Sequence, residues 1–444
     1  MRAGRFSALL IITILIPILS YSNYSSIEEG ATLAQVEAGH ASYDSIFPYY
    51  TVQCSFSKER KTDGYSSSFM GHTVLYIKGA CRDKSVPYPK LKLCDPGTDL
   101  TKKSSGVALS VEKIVSNSQY VATDGVDFLL NGSSLPDEPL TIDSIKNTVN
   151  AVLASGSLNG LKIHDKYLRK KPTDASVAEY LAWIGVGTDF AVSFGRDSTC
   201  ARIPMTQSQI QAEVNYVNDT NEPYVTGAQE FSWSAVGDNC AHFTHDVLAA
   251  GGIRTEIPRS SSMGRVIYNF VSLHWEIPTN DVLKDLEFAN DLTQIRSAEE
   301  VFNDHDEREI FNKLGTLPRL GATIEEIPMH LFENNVYKAN SPTTFLLDFP
   351  VVDNRGRKFD ALEKDPAYTN VADNLQRTLT RLQEIQTQTK GSPTPTPSST
   401  PSPAASGSNA ELAEFSTRYN AWIDQSIVDI QTRLAKIAQL KTGK

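Results

Sequence analysis

Five cysteines and eight histidines limit where reactive chemistry can sit in this 444-residue chain, and one cysteine stands apart by its setting. The stretch Gly237-Asp238-Asn239-Cys240-Ala241-His242-Phe243-Thr244-His245 follows a loop-like run, Tyr224 to Gly227. It opens a segment that reaches Ala250 with helical apolar spacing. Asn239 is a suitable N-cap, so the spacing predicts a helix that begins at Cys240 itself. Unpaired N–H groups and the helix dipole favour negative charge there, which lowers a thiol pKa and improves the thiolate as a nucleophile. Cys240 is therefore the candidate nucleophile of a thiol enzyme, and its own backbone N–H is the candidate oxyanion donor.

A cysteine nucleophile needs a base that holds it as thiolate and later protonates the leaving group. His72 is the candidate. It opens Gly71-His72-Thr73-Val74-Leu75-Tyr76-Ile77-Lys78-Gly79, a β-branched and aromatic run bounded by glycine, and so a predicted strand. A rigid strand can hold an imidazole against a helix N-terminus. His242 and His245 lie three apart beside Asp246, so a metal site is the minor alternative, although no third or fourth ligand can be identified. No P-loop, dinucleotide fingerprint or metalloprotease motif occurs, and no cofactor is expected.

The elements that must position these residues follow a sheet-then-helix order. Tyr50 to Phe56 alternates like a strand, Gly106 to Val115 and Gln119 to Ala122 read as further strands, and Val126 to Leu130 extends them. From Thr141 the period turns helical, with Ile142, Ile145, Val149 and Val152 in one stripe and Ala175 to Ile184 as a second helix. Thr188 to Phe194 returns to strand character. Thr206 caps a helix to Val217, which delivers the chain to Cys240, and the glycine pair Gly251-Gly252 ends the helix that starts there. The expected class is α+β.

Further on, residues 256–360 read as a mixed wrapping extension, with Pro318, Pro328, Pro342 and Pro350 spread through the apolar run from Leu314. Residues 361–389 hold an amphipathic helix carrying Val371, Leu375, Leu379 and Leu382. The Pro/Ser/Thr-rich residues 390–409 cannot bury a core and form a linker. Residues 410–444 make a long helix with Leu412, Phe415, Tyr419, Trp422, Ile427, Ile430, Leu434 and Ile437 on one face. It should close a helical hairpin with 361–389, or pair with a second chain.

Residues 1–22 read as an export signal: Arg2 and Arg5 precede the apolar run Phe6 to Leu19, and Ser20-Tyr21-Ser22 offers a cleavage site. About 14 apolar residues are short for a membrane span. The mature chain is expected in the periplasm or outside the cell, with no later transmembrane span. Oxidising surroundings let four of the cysteines Cys54, Cys81, Cys94, Cys200 and Cys240 pair, with Cys240 left over by its context. Cys81–Cys94 is the most local pair, within a loop at 80–105, but four cysteines allow three pairings. A net charge of −10 with 40 % hydrophobic and 21 % charged residues describes a globular chain without the basic footprint of nucleic-acid binding.

The string Asn239-Cys240-Ala241-His242-Phe243 resembles the Asn-Cys-Glu-His-Phe motif of the lecithin:retinol acyltransferase-like proteins, which belong with the NlpC-type cell-wall peptidases among permuted papain-like enzymes. In that branch a histidine strand precedes the cysteine helix, and Gly71-His72 to Ile77 looks like that strand. The resemblance covers about residues 50–253; it departs at Ala241, where the family has Glu, and in a longer His-to-Cys interval. It implies an antiparallel sheet packed on helices, a catalytic domain over 23–255, attack by Cys240 on a carbonyl, and His72 as general base. A third polar residue on a neighbouring strand would orient His72; Asp189 is the choice, with Ser110 and His164 weaker. The histidine equivalent to His242 has a packing role there.

Together these readings predict an exported thiol hydrolase or acyltransferase working through a Cys240 thioester, on cell-wall peptide amides or lipid acyl groups. The alternative is a papain-like binding or scaffold module of the cell envelope without turnover.

Overall fold

The computed structural model describes residues 42–56, 72–125 except 103, 142–187, 198–234, 238–253, 286, 289–317, 322–327, 361–391 except 363, and 409–442. Eight strands are described: β1 Tyr50–Phe56, β2 His72–Lys78, β3 Ala80–Arg82, β4 Leu91–Leu93, β5 Gly106–Ser110, β6 Val121–Asp124, β7 Ser198–Pro204 and β8 Thr323–Ile327. The main helices are α1 Ile142–Ser155, α2 Val177–Trp183, α3 Gln207–Val225, α4 Cys240–Ala250, α5 Ala298–Asn303, α6 His305–Leu314, α7 Val371–Gly391 and α8 Asn409–Thr442. The class is α+β, as expected.

Six strands form one antiparallel sheet in the order β6-β5-β2-β1-β7-β8, which places β1 and β2 at its centre. Cys54 of β1 and Cys200 of β7 stand directly opposite in register and are joined by a disulfide with Cα atoms 4.1 Å apart. The second disulfide, Cys81–Cys94, closes the small β3–β4 hairpin. Only one of the three pairings open to the four cysteines is thereby realised, and the 80–105 region is a hairpin rather than a plain loop. Both disulfides suit an oxidising compartment.

Side chains alternate along a strand, so each strand feeds two cores. Val52, Cys54, Val74, Tyr76 and Ala108 enter a core built with α5, α6, α7 and α8, in which Leu375, Leu382, Phe415, Tyr419 and Ile430 are buried. Leu75, Ile77, Leu109, Ala201 and Ile203 enter the opposite core, with Ile210 and Val214 of α3 and Cys240, Phe243 and Val247 of α4. A third cluster, at the β6 end, gathers Val121 with α1 and α2. The sheet is thus a middle layer with helices on both faces.

Buried charge ties the outer helices down. Lys78 Nζ lies 2.6 Å from Asp44, in the helical turn at residues 42–46, and Arg202 is stacked 4.3 Å from the ring of Tyr43 and 5.2 Å from that of Tyr50. Lys436 of α8 donates to the Ser45 carbonyl at 2.5 Å, so the last helix holds the helical turn at residues 42–46. Helices α7 and α8 pack on one another and on the sheet core, as the hairpin reading expected.

Other readings change. The helix capped by Thr206 continues to Val225 through Pro223, so its end absorbs the expected Tyr224 loop. The strand read over Gly106 to Val115 stops at Ser110. The proposed strands at Val126 to Leu130 and Thr188 to Phe194 lie outside the described residues, while β7 follows at Ser198–Pro204. The wrapping extension contributes helices α5 and α6 and the edge strand β8, paired to β7. Residues 1–41 and the linker at 392–408 lie outside the described residues. Among the described residues no helix is long and apolar enough to cross a membrane.

Candidate active site

The cysteine helix starts where the sequence placed it. Asn239 is the N-cap, its backbone extended, and its side-chain oxygen accepts from the His242 N–H at 3.0 Å. Cys240 is the first helical residue, at the end where the dipole favours a thiolate. Of the five cysteines it is the one left outside a disulfide. Every residue from Cys240 to Ala250 is buried, and Cys240 itself is 7 % exposed. Helix α4 lies against β2, and Cys240 packs in the cluster that Leu75 and Ile77 enter. Phe243 stacks on Tyr120, just before β6, and Asp246 accepts from the Tyr216 hydroxyl of α3 at 3.0 Å, which ties the helix to both. Gly252 beyond its C-terminus has φ +78°, a conformation that glycine adopts without strain.

His72 is the first residue of β2 and only partly buried. Its Nε2 lies 3.1 Å from the Ser110 hydroxyl at the end of β5, the strand paired with β2. Ser110 Oγ in turn donates to Glu112 Oε1 at 3.3 Å. The register explains this contact. Strands β2 and β5 pair through Leu75–Leu109 and Tyr76–Ala108, so His72 and Ser110 fall in the same alternation set, as does Glu112 beyond Ser110. Burial pushes the Glu112 carboxyl up to about 7, against the Ser110 hydrogen bond and the nearby Lys113 charge.

The same register bears on the proposed dyad. Val74 and Tyr76, which share the His72 set, enter the core on the α7–α8 face, whereas Cys240 packs with Leu75 and Ile77 of the alternate set. A dyad with Cys240 therefore requires the His72 side chain, at the end of β2, to reach the opposite face of the sheet.

The remaining candidates are placed as follows. Asp189 lies outside the described residues. Ser110, the weaker choice for a third residue, makes the contact to His72. His164 caps the short helix Asp165–Leu168, its backbone N–H bonded to the Ile114 carbonyl and its ring 3.7 Å from Glu230. His242 and His245 are buried within α4, and among the described residues no group of three or more His, Cys, Asp or Glu side chains is arranged to hold a metal ion. Glu112 was not singled out from the sequence, although the period-two spacing of Ala108, Ser110 and Glu112 carries the signal. The chain has no match among family models, curated proteins or solved structures.

Proposed function

We propose that the chain is an exported thiol hydrolase or acyltransferase in which Cys240 is the nucleophile and His72, held by Ser110, is the general base. The observation that carries this reading is the cysteine pattern: four thiols are consumed in two disulfides, and the fifth, outside both, is the first residue of a helix that packs against the His72 strand. A thiol kept reduced beside two disulfides, at the helix end that stabilises its anion, is suited to nucleophilic chemistry. In the proposed reaction His72 takes the Cys240 proton and the thiolate attacks an acyl carbonyl. The tetrahedral oxyanion is met by backbone N–H groups at the helix start. Its collapse expels the amine or alcohol, protonated by the imidazolium, and leaves a thioester. Water resolves that thioester in a hydrolase; a second nucleophile resolves it in a transferase. Cell-wall peptide amides and lipid acyl groups are the proposed substrate classes, as the family resemblance implies.

A second reading has its own support. The alternation that groups His72 with Val74 and Tyr76, together with the near-complete burial of Cys240, suits a papain-like binding or scaffold protein without turnover. Iodoacetamide labelling of the native protein separates the two. A catalytic Cys240 is alkylated selectively with an apparent pKa well below the ~8.5 of a free thiol, and His72→Ala abolishes that enhancement. A scaffold cysteine shows slow labelling that His72→Ala leaves alone.

A further inference from the structure

One hydroxyl carries one proton, and the Ser110 hydroxyl stands between two titratable groups. Its Oγ lies 3.1 Å from His72 Nε2 and 3.3 Å from Glu112 Oε1. An ionised carboxylate only accepts, so with Glu112 ionised the Ser110 proton points to Oε1. Ser110 then offers Nε2 nothing but a lone pair, and Nε2 must supply the N–H of that hydrogen bond. A neutral imidazole carrying its proton on Nε2 has Nδ1 as its acceptor.

We propose that Glu112 is a positioning residue that acts through Ser110: its carboxylate fixes His72 as the Nε2–H tautomer and leaves Nδ1 as the ring nitrogen that accepts a proton. The converse state follows from the same atoms. A protonated Glu112 donates to Ser110, Ser110 donates to Nε2, and the neutral ring then carries its proton on Nδ1, so that nitrogen no longer accepts a proton. No proton is gained or lost by the ring in that reversal beyond its move between the two nitrogens; the added proton resides on Glu112. Lys113, beside it in the chain, is the charged group that acts on Glu112, and His72 is joined to it through Ser110. Burial holds the carboxyl near neutrality, so both states lie within ordinary pH. The consequence for catalysis rests on His72 being the base for Cys240. The tautomer itself does not.

The test is ¹⁵N NMR of the imidazole nitrogens in the full mature chain, with the His72 signals assigned by their loss in His72→Gln. In the wild type at pH 8 neutral His72 is expected as the Nε2–H form. Ser110→Ala and Glu112→Leu break the chain and yield mixed tautomers. Glu112→Gln keeps an acceptor oxygen without the charge; its His72 titration midpoint falls by about half a unit or more, because the carboxylate no longer supports the imidazolium. Wild-type tautomer in folded Ser110→Ala and Glu112→Leu proteins overturns the proposal. Where Glu112→Leu does not fold, an unchanged His72 midpoint in Glu112→Gln overturns it instead. Cys240 alkylation on the same samples reads the thiol-enzyme hypothesis separately, so either can fail alone.

Discussion

His72 Nε2 and Ser110 Oγ lie 3.1 Å apart across the β2–β5 pair, a contact set by register between two neighbouring interior strands rather than by a loop. The imidazole is therefore positioned by the sheet, and any base function of His72 depends on a serine 38 residues further along the chain.

Loss of that contact should slow chemistry without unfolding the protein. Ser110→Ala removes one hydroxyl from a buried strand end and leaves the apolar packing of Leu109 in place. Alkylation of Cys240 is expected to slow by about tenfold or more, as misplaced catalytic groups generally do. Thermal denaturation should show a small change. Unaltered alkylation in Ser110→Ala would remove Ser110 from the proposed site.

Glu213 makes stability depend on pH. It is fully buried on α3, its Oε2 accepts from Thr51 of β1 at 2.8 Å, and burial pushes its carboxyl from 4.5 to about 8. Below pH 4.5 the group is protonated in both states and has no effect. Between 4.5 and about 8 the unfolded chain gives up the proton while the folded chain keeps it, so stability falls as pH rises, by up to about 1.4 kcal/mol per unit. Glu112 adds a slope of the same sign up to about 7. Glu213→Gln keeps an acceptor for Thr51 and should flatten the decline, raising Tm at pH 8 relative to wild type. Parallel Tm–pH curves for the two proteins would contradict this.

The two disulfides should differ in weight. Cys54–Cys200 spans 146 residues and joins fully buried half-cystines, whereas Cys81–Cys94 spans 13. Chain-entropy arguments give roughly 4–5 kcal/mol for the long loop and about 3 kcal/mol for the short one. Denaturant melts of Cys54→Ala/Cys200→Ala and Cys81→Ala/Cys94→Ala should rank in that order, and a reversed ranking would show that native-state packing dominates.

The C-terminal helix belongs to the core. Tyr419 is fully buried, its hydroxyl bonded to the Arg296 carbonyl at 3.1 Å and its ring against Phe311, Phe415 and Trp422. Tyr419→Ala should destabilise by about 3–5 kcal/mol, within the range for large aromatic truncations. A change under 1 kcal/mol in urea unfolding would mean that α8 docks loosely.

Much of this fold could be read from the chain because local signals agreed with tertiary demand. Asn239 and Thr206 are caps in both, the His72 strand is central, and the long apolar stripe through Phe415, Tyr419 and Ile430 faces a core. The misreadings have physical causes. Strand β7 contains Arg202, which scans as a solvent-facing residue but is buried between two tyrosine rings. Strand β8 carries Glu325 and Glu326, a polarity that the outermost strand of a sheet tolerates and a central one does not. The helix read as ending at Val217 runs on to Val225, with Pro223 in its last turn. Helix α5, inside the expected wrapping extension, is signalled in the sequence by a capping box, Ser297 with Glu300. The helix start at Cys240 and the strand start at His72 were legible from residue type and spacing. The link from Glu112 to His72 was not, because its Ser110–His72 half depends on the β2–β5 pairing.

Alkylation of Cys240 by iodoacetamide across pH, in wild type and His72→Ala, tests the thiol chemistry most directly. A catalytic pair gives selective labelling of Cys240 with an apparent pKa at least about one unit below 8.5, and His72→Ala returns it to that of an ordinary thiol. Slow labelling with a midpoint near or above 8.5 in both proteins would contradict the enzyme reading and leave a buried structural cysteine.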